Sequence, residues 1–221
     1  MHLLYMRIIL LIIILCMAAC RQNNSVNVTK PVTTNTTIKP LLVDCKDYVQ
    51  KKDVATKILH DQAIQSNKRH LVISRIIIDS LMPCWYGTAW DFNGCTTEPG
   101  KGSIACGYFV TTVLRDAGLQ LNRIRLAQSP SGIIIHKLCA NIKLFCNQPL
   151  INLVNHIKQN DPGLYIVGLD FHVGFVYFDG KEVYFIHSSY YGTKCVVKEK
   201  ALASAALINS KYRKIGRVNL N

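Results

Sequence analysis

The stretch Phe171-His172-Val173-Gly174-Phe175-Val176-Tyr177-Phe178-Asp179-Gly180-Lys181-Glu182-Val183-Tyr184-Phe185-Ile186-His187-Ser188 decides how the chain is read. Two runs rich in aromatic and β-branched residues flank Asp179-Gly180, a pair that suits a type I′ turn between antiparallel strands. With that pair as the loop, Phe178 faces Lys181 and His172 faces His187, with Cβ atoms about 5 Å apart on one face. A four-residue loop over 179–182 would pair His172 with Ser189 instead. Gly174 lies on the same face and leaves room beside His172 for another group to approach. The ribbon is otherwise apolar on both faces, so two imidazoles in contact need a reason. Either one is a base that the other orients, or both are structural histidines with satisfied nitrogens.

Working outward, segments 164–168, 193–198 and 213–220 read as further strands. Upstream, 42–67 reads as an amphipathic helix with Val49, Val54, Ile58, Ala63 and Ile64 toward the core. Residues 71–82 read as a second helix ending before Pro83, although Ile76-Ile77-Ile78 leaves a strand open. A helix over 131–145 would carry His136. Residues 149–159 form another, with Pro149 near N1 and Asp161-Pro162-Gly163 as its stop. An alanine-rich helix is expected over 199–208. Helices first and antiparallel strands afterwards imply an α+β domain, with helices packed on a central antiparallel β-sheet.

The helix that matters most reads as Ser103 (N-cap), Ile104, Ala105 and then Cys106 at N3, ending at Gly118. Ile104, Phe109, Val113, Leu114 and Ala117 make its buried stripe. Unsatisfied N–H groups and the positive helix end would favour the thiolate of Cys106. Cys106 is therefore a nucleophile or a buried core thiol. Just before it, the aromatic and glycine-rich segment from Cys84 to Gly94 can wall a cleft, or pack Trp85 and Trp90 into the core. A thiol, a histidine base and a second histidine form the nucleophile, base and orienter set of acyl transfer. In that set His172 takes the Cys106 proton and His187 fixes the His172 ring.

The chain has 221 residues and a formal charge of +13. The charge admits nucleic acid, anionic lipid or an acidic polymer such as cell wall as partners. The basic residues are scattered, without a dense run or interleaved aromatics, which argues against nucleic acid. Residues 1–20 read as an export leader: Arg7, an apolar run over 8–15, then Ala18-Ala19-Cys20. That run is too short to span a bilayer. Its end resembles a bacterial lipobox, which implies cleavage before Cys20 and a lipid on the Cys20 thiol. The alternative is a secretory peptide cut at the same bond. Residues 21–41 read as a flexible tether and 42–221 as one domain. Beyond Cys106, the cysteines of the domain are Cys45, Cys84, Cys95, Cys139, Cys146 and Cys195. An exported chain can oxidise these, and Cys84–Cys95 and Cys139–Cys146 are the simplest local pairs. No zinc-ligand spacing is present, and neither metal nor cofactor is expected.

Across about residues 84–190 the chain resembles the NlpC/P60 family of papain-like cysteine peptidases. The resemblance rests on four parts. These are Tyr86-Gly87 with Trp90 and Asn93-Gly94; Ala105-Cys106-Gly107-Tyr108-Phe109-Val110 with its ending Leu114-Arg115-Asp116-Ala117-Gly118; His172-Val173-Gly174-Phe175-Val176; and Ile186-His187-Ser188. It implies a papain-like fold and hydrolysis of amide bonds in peptidoglycan stem peptides by Cys106, His172 and His187. Tyr86 would sit near the thiol and polarise the substrate carbonyl or steady Cys106, or else only wall the cleft. With the leader, it implies a membrane-anchored lipoprotein of the cell envelope. The family usually has Asp before the cysteine and Ser-Gly after it. Here Ala105 and Gly107-Tyr108 stand in those places, and the long spacing from Cys106 to His172 implies an insertion around 120–148. A non-catalytic envelope lipoprotein that binds wall or protein is the alternative, as is a related amidase or acyltransferase on another substrate.

Overall fold

A computed structural model of the chain describes residues 45–220. The leader, the tether and the lipidation residue Cys20 lie outside the described residues. In chain order, α1 (Tyr48–Leu59), α2 (Ser66–Ile76), a π-helical turn (Ile77–Leu81) and α3 (Met82–Trp85) precede α4 (Cys106–Asp116). Then come α5 (Arg123–Ala127), α6 (Ser131–Leu138), β1 (Cys139–Cys146), α7 (Leu150–Lys158), β2 (Gly163–Leu169) and β3 (Val173–Phe178). The chain continues through β4 (Val183–Ser188), β5 (Val196–Lys200), a 3₁₀ turn (Ala201–Ala203), α8 (Ala205–Asn209) and β6 (Tyr212–Val218). The strands form one sheet in the order β1-β6-β2-β3-β4-β5, and every neighbouring pair is antiparallel. The α+β class read from the sequence therefore holds.

Apolar residues on both sides of the sheet explain why β2 is buried at every position. Leu164, Ile166, Val173, Phe175 and Ile186 pack against the N-terminal helices and α4. Tyr165, Val167, Val176, Val183 and Phe185 pack against Leu153, Val154 and Ile157 of α7 and Ala206 and Leu207 of α8. A strand covered on both faces reads as a continuous apolar run, not as an alternating one.

The β3–β4 ribbon is present but its register differs from the two-residue reading. Phe178 faces Val183 and Phe175 faces Ile186, so 179–182 form a four-residue loop. The reason lies in Asp179, whose Oδ1 accepts from the backbone N–H groups of Lys181 and Glu182. That cap widens the turn by two residues, Lys181 and Glu182, both on the β4 side. A shift of two leaves side-chain parity intact, so both histidines stay on one face.

Other expectations are corrected. The stripe of α1 is Tyr48, Ala55 and Leu59, whereas Val49, Val54 and Ala63 are exposed. No strand forms at 76–78, and the helix does not stop before Pro83. The π turn and a restart that places Pro83 in the first turn of α3 carry the chain past it. The expected helix over 131–145 ends at Leu138, and edge strand β1 follows. Residues 199–200 belong to β5, and only a short helix forms beyond them. The disulfide joins Cys45 to Cys84, and Cys95, Cys139 and Cys146 are free. This bridge fastens the start of α1 beside Trp85, whose indole N–H donates to the Tyr48 hydroxyl. That hydroxyl in turn donates to Asp116 at the end of α4.

Candidate active site

Cys106 opens α4, but not as the sequence suggested. Ser103 is no cap: its backbone is extended and bridged to Ala89, and its carbonyl accepts from Thr96. Ile104 is held the same way, by Ala89 and by the Ser188 hydroxyl. Helical geometry therefore starts two residues later than a serine cap would allow, with Ala105 as the N-cap and Cys106 as the first residue. Its thiol is approached by backbone groups of Val173, Gly107 and Cys106 itself. Burial outweighs these and pushes the thiol above its ordinary range. The helix end alone does not hold a thiolate at rest.

Gly107 has a clear role. A Cβ there would stand 2.2 Å from the carbonyl oxygen of Ala127, so α5 rests directly on the first turn of α4. The segment read as an insertion is thus what requires glycine after the cysteine.

His172 and His187 meet, with Nε2 of His172 2.7 Å from Nδ1 of His187 and ring centroids 4.9 Å apart at 81°. They are diagonal neighbours, because Gly174 lies opposite His187. A Cβ at Gly174 would fall 2.6 Å from the Phe185 ring and 2.8 Å from the His187 Cβ. Gly174 therefore makes room for those two rings, not for an incoming ligand. Phe185 stacks on His187 at 4.2 Å and fixes its plane.

A residue that sequence reading missed completes the set. The Oε1 of Glu199 lies 3.1 Å from Nε2 of His187. Glu199 pairs with Phe185 across β4 and β5, which puts it on the same face as both histidines. Its surrounding Lys198-Glu199-Lys200-Ala201 reads as the start of a helix. Only the strand register would have revealed it.

The carboxylate orders the protons. Burial opposes ionisation of Glu199, but hydrogen bonds from His187 and Ser204 more than offset this and hold the carboxyl below its usual range. An ionised carboxylate only accepts, so Nε2 of His187 donates to it. Neutral His187 then accepts at Nδ1, and Nε2 of His172 donates there. Neutral His172 is left with its lone pair on Nδ1. That atom has no hydrogen-bond partner among the described residues. Burial, then the neighbouring His187, keeps His172 well below the ordinary imidazole value, and burial also lowers His187 against the pull of Glu199. At neutral pH the resting pair is thus a thiol and a free imidazole base.

Cys106 and His172 together line two clefts. One, of about 610 Å³, runs past Ser129, Ser131 and Asp170; the other, of about 460 Å³, runs past Trp90, Phe92, Tyr108 and Tyr190. Both share Cys106, Gly107, Ala127, Phe171 and His172, so the thiol stands where they join. The segment from Trp90 to Asn93 does wall a cleft, while Trp85 is core.

No family model, no curated protein and no solved structure matches this chain. The assignment of chemistry rests on the side chains alone.

Tyr86 is not brought to Cys106. It lines neither of those clefts but a separate cavity of about 800 Å³ beside Ser189, Lys198 and Glu199. Burial, then Asp79, raises its phenol. The tyrosine at the thiol is Tyr190, whose ring lies 5.1 Å from that of His172 at 75°. Its phenol is pushed up to about 12 by burial, then by donating to the Tyr191 hydroxyl and by charge on Cys106. Among the described residues, no group of three or more His, Cys, Asp or Glu side chains could hold a metal ion.

Proposed function

We propose that this chain is a cysteine hydrolase of the NlpC/P60 type, with a papain-like arrangement, that cleaves amide bonds of peptidoglycan peptides. One observation carries the reading: the Glu199–His187–His172 order leaves the Nδ1 lone pair of His172 without a partner among the described residues, and His172 lines both clefts that hold Cys106.

In the proposed reaction Nδ1 of His172 takes the thiol proton as the Cys106 sulfur adds to the amide carbon. The imidazolium keeps its Nε2–H on His187, and the Glu199 carboxylate offsets its charge from the far side. Free N–H groups of the first turn of α4 receive the negative oxygen. The C–N bond breaks as Nδ1–H protonates the leaving amine, giving a thioester on Cys106. Water then loses a proton to His172 as it attacks, and the thiol and a free carboxylic acid are restored.

The leader, with its lipobox resemblance, supports a lipid anchor at Cys20 and a site facing the periplasm or cell surface. The Cys45–Cys84 disulfide supports an oxidising compartment. The test is alkylation by iodoacetamide at pH 7, followed by digestion of purified cell wall with mass analysis of the fragments. Cys106 is expected to react faster than exposed Cys95, to lose that lead in His172→Ala, and to release peptide fragments that Cys106→Ser does not. Equal rates at both cysteines, with no fragments released, would refute the hydrolase reading.

A further inference from the structure

The cavity of about 800 Å³ beside Tyr86 follows the outer edge of β5 and does not touch the thiol. Tyr86 and Lys198 bound it on the face of the sheet that carries the N-terminal helices. Val197, Glu199, Ala203 and Ala206 bound it on the face that carries α7 and α8. The space therefore wraps around a strand edge and opens to both sides of it.

The backbone at that edge is half paired. The Gly87 N–H donates to the Val196 carbonyl at 2.9 Å, and the Val196 N–H donates to the Thr88 carbonyl at 2.9 Å. The Trp90 N–H donates to the Lys194 carbonyl at 2.8 Å, and Ala89 bridges Cys195 in antiparallel sense. Outward bonding thus falls on Lys194 and Val196, and alternation gives the next outward places to Lys198 and Lys200. Before Gly87 the chain turns away into α3. No backbone bond from the described residues reaches the outward N–H and C=O of Lys198 or the N–H of Lys200. The molecule itself begins a further strand on this edge and leaves its continuation open.

Charge decides what continues it. The edge carries Lys194, Lys198 and Lys200, and its carboxylate Glu199 is engaged by His187. Lys200 has Glu182 at 3.4 Å, whereas the Lys198 ammonium rests over the rings of Tyr184 and Tyr177, at 4.4 and 5.6 Å. Lysines on an edge deter like strands, so a second copy would meet its own ammonium groups. A compact ligand would leave the backbone groups unpaired. An extended peptide satisfies them, and its side chains alternate between the two faces. On one face the alanines leave room for a small apolar residue. On the other a carboxylate meets Lys198, already positioned by two rings.

We infer that the outer edge of β5 binds an extended segment of a partner protein in which small apolar residues alternate with acidic ones. The surface stands without the hydrolase reading, and only its effect on the thiol rests on that reading. A strand added outside β5 would hold Glu199 against His187 and so preserve the proton order at His172.

The probe is a capped peptide of alternating valine and glutamate, long enough to cover 197–200, titrated against the full chain. Bound peptide should slow deuterium exchange at the Lys198 and Lys200 amides at least about 10-fold and leave β1, the opposite edge, unchanged. N-methylation of the peptide amides that face β5 should abolish this protection. Lys198→Glu should weaken the glutamate peptide about 10-fold and strengthen its lysine counterpart by a similar factor, a swap that misfolding cannot produce. Bound peptide should also raise the urea concentration at which Cys106 alkylation slows. Absent protection at both amides, equal binding of the two peptides, or binding that survives N-methylation would overturn strand addition. Slow exchange at the same amides in concentrated protein without peptide would give the edge to a second copy and overturn the peptide assignment. Protection at the edge with no change at Cys106 would keep the surface and overturn the link through Glu199.

Discussion

Removing the carboxylate at Glu199 should disarm Cys106 without touching it. The imidazolium that forms at His172 is separated from Glu199 by one imidazole ring, on the order of 9 Å. At an effective dielectric of about 20 that attraction is worth roughly 2 kcal/mol. Glu199→Gln keeps an oxygen that can accept from His187 and removes only the charge, so the thiolate–imidazolium population should fall roughly 30-fold. Glu199→Ala also removes the acceptor. His187 can then carry its proton on Nδ1 and donate to His172, which moves the His172 proton onto the atom that should act as base. The fall should be larger, on the order of 100-fold or more. The assay is the rate of Cys106 alkylation across pH. With burial raising the thiol and lowering His172, the rate should be flat between those two limits and climb only in the alkaline range, beyond where an ordinary thiol ionises. Both variants should depress the flat region and leave the alkaline limb in place. Imidazole nitrogen shifts by NMR should show the tautomer of His187 reversed in Glu199→Ala only. A flat region unchanged in Glu199→Ala, with the fold intact by circular dichroism, would refute this placement of the protons.

Gly107→Ala should destabilise the protein by about 1–3 kcal/mol, read as a lower urea midpoint, because the new methyl meets the Ala127 carbonyl. A helix interior would otherwise gain about 1 kcal/mol from that change, so the sign alone is diagnostic. Acid should unfold the protein by way of buried imidazoles: His70, lowered to about 4 by burial and then Arg217, together with His172 and His187, stays neutral when folded and protonates when unfolded. The unfolded state thus binds more protons below about pH 6.5. Urea midpoints should be steady above that value and fall as pH drops toward about 4. Replacing Cys45 and Cys84 by serine frees a loop with a sequence separation of 39, and thermal melting should drop on the order of 10 °C for the loss of about 4 kcal/mol.

The helix of Cys106, the β3–β4 ribbon and the shared face of the two histidines were legible because each depends on local pattern. Parity of side chains survives a turn that is misjudged by two residues, and so the histidine pair survived it as well. What escaped the sequence was set by distant partners. β1 is an edge strand with a register shift between Ala140 and Lys143 and Asn141 at positive φ, so its exposure does not alternate cleanly. The Cys45–Cys84 bridge spans two helices and could not be found among neighbouring cysteines. Tyr86 and Tyr190 are both aromatic residues near loops, and only the folded chain sorts which one reaches the thiol. Glu199 sits in a charged segment whose local preference is helical, and strand pairing overrides that preference.

Glu199 rides on β5, one of the two edge strands of the sheet. The segment 87–90 bonds its outer side only at the beginning, through Val196. An outer strand is the easiest part of a sheet to fray. The buried Ala201 just beyond β5 ties its far end to the core, and when that tie loosens the first thing lost is the anchor of the proton order. Mild denaturant should slow the alkylation of Cys106 well before it melts the protein, with thiol reactivity reporting on the sheet margin and spectroscopy reporting on the interior.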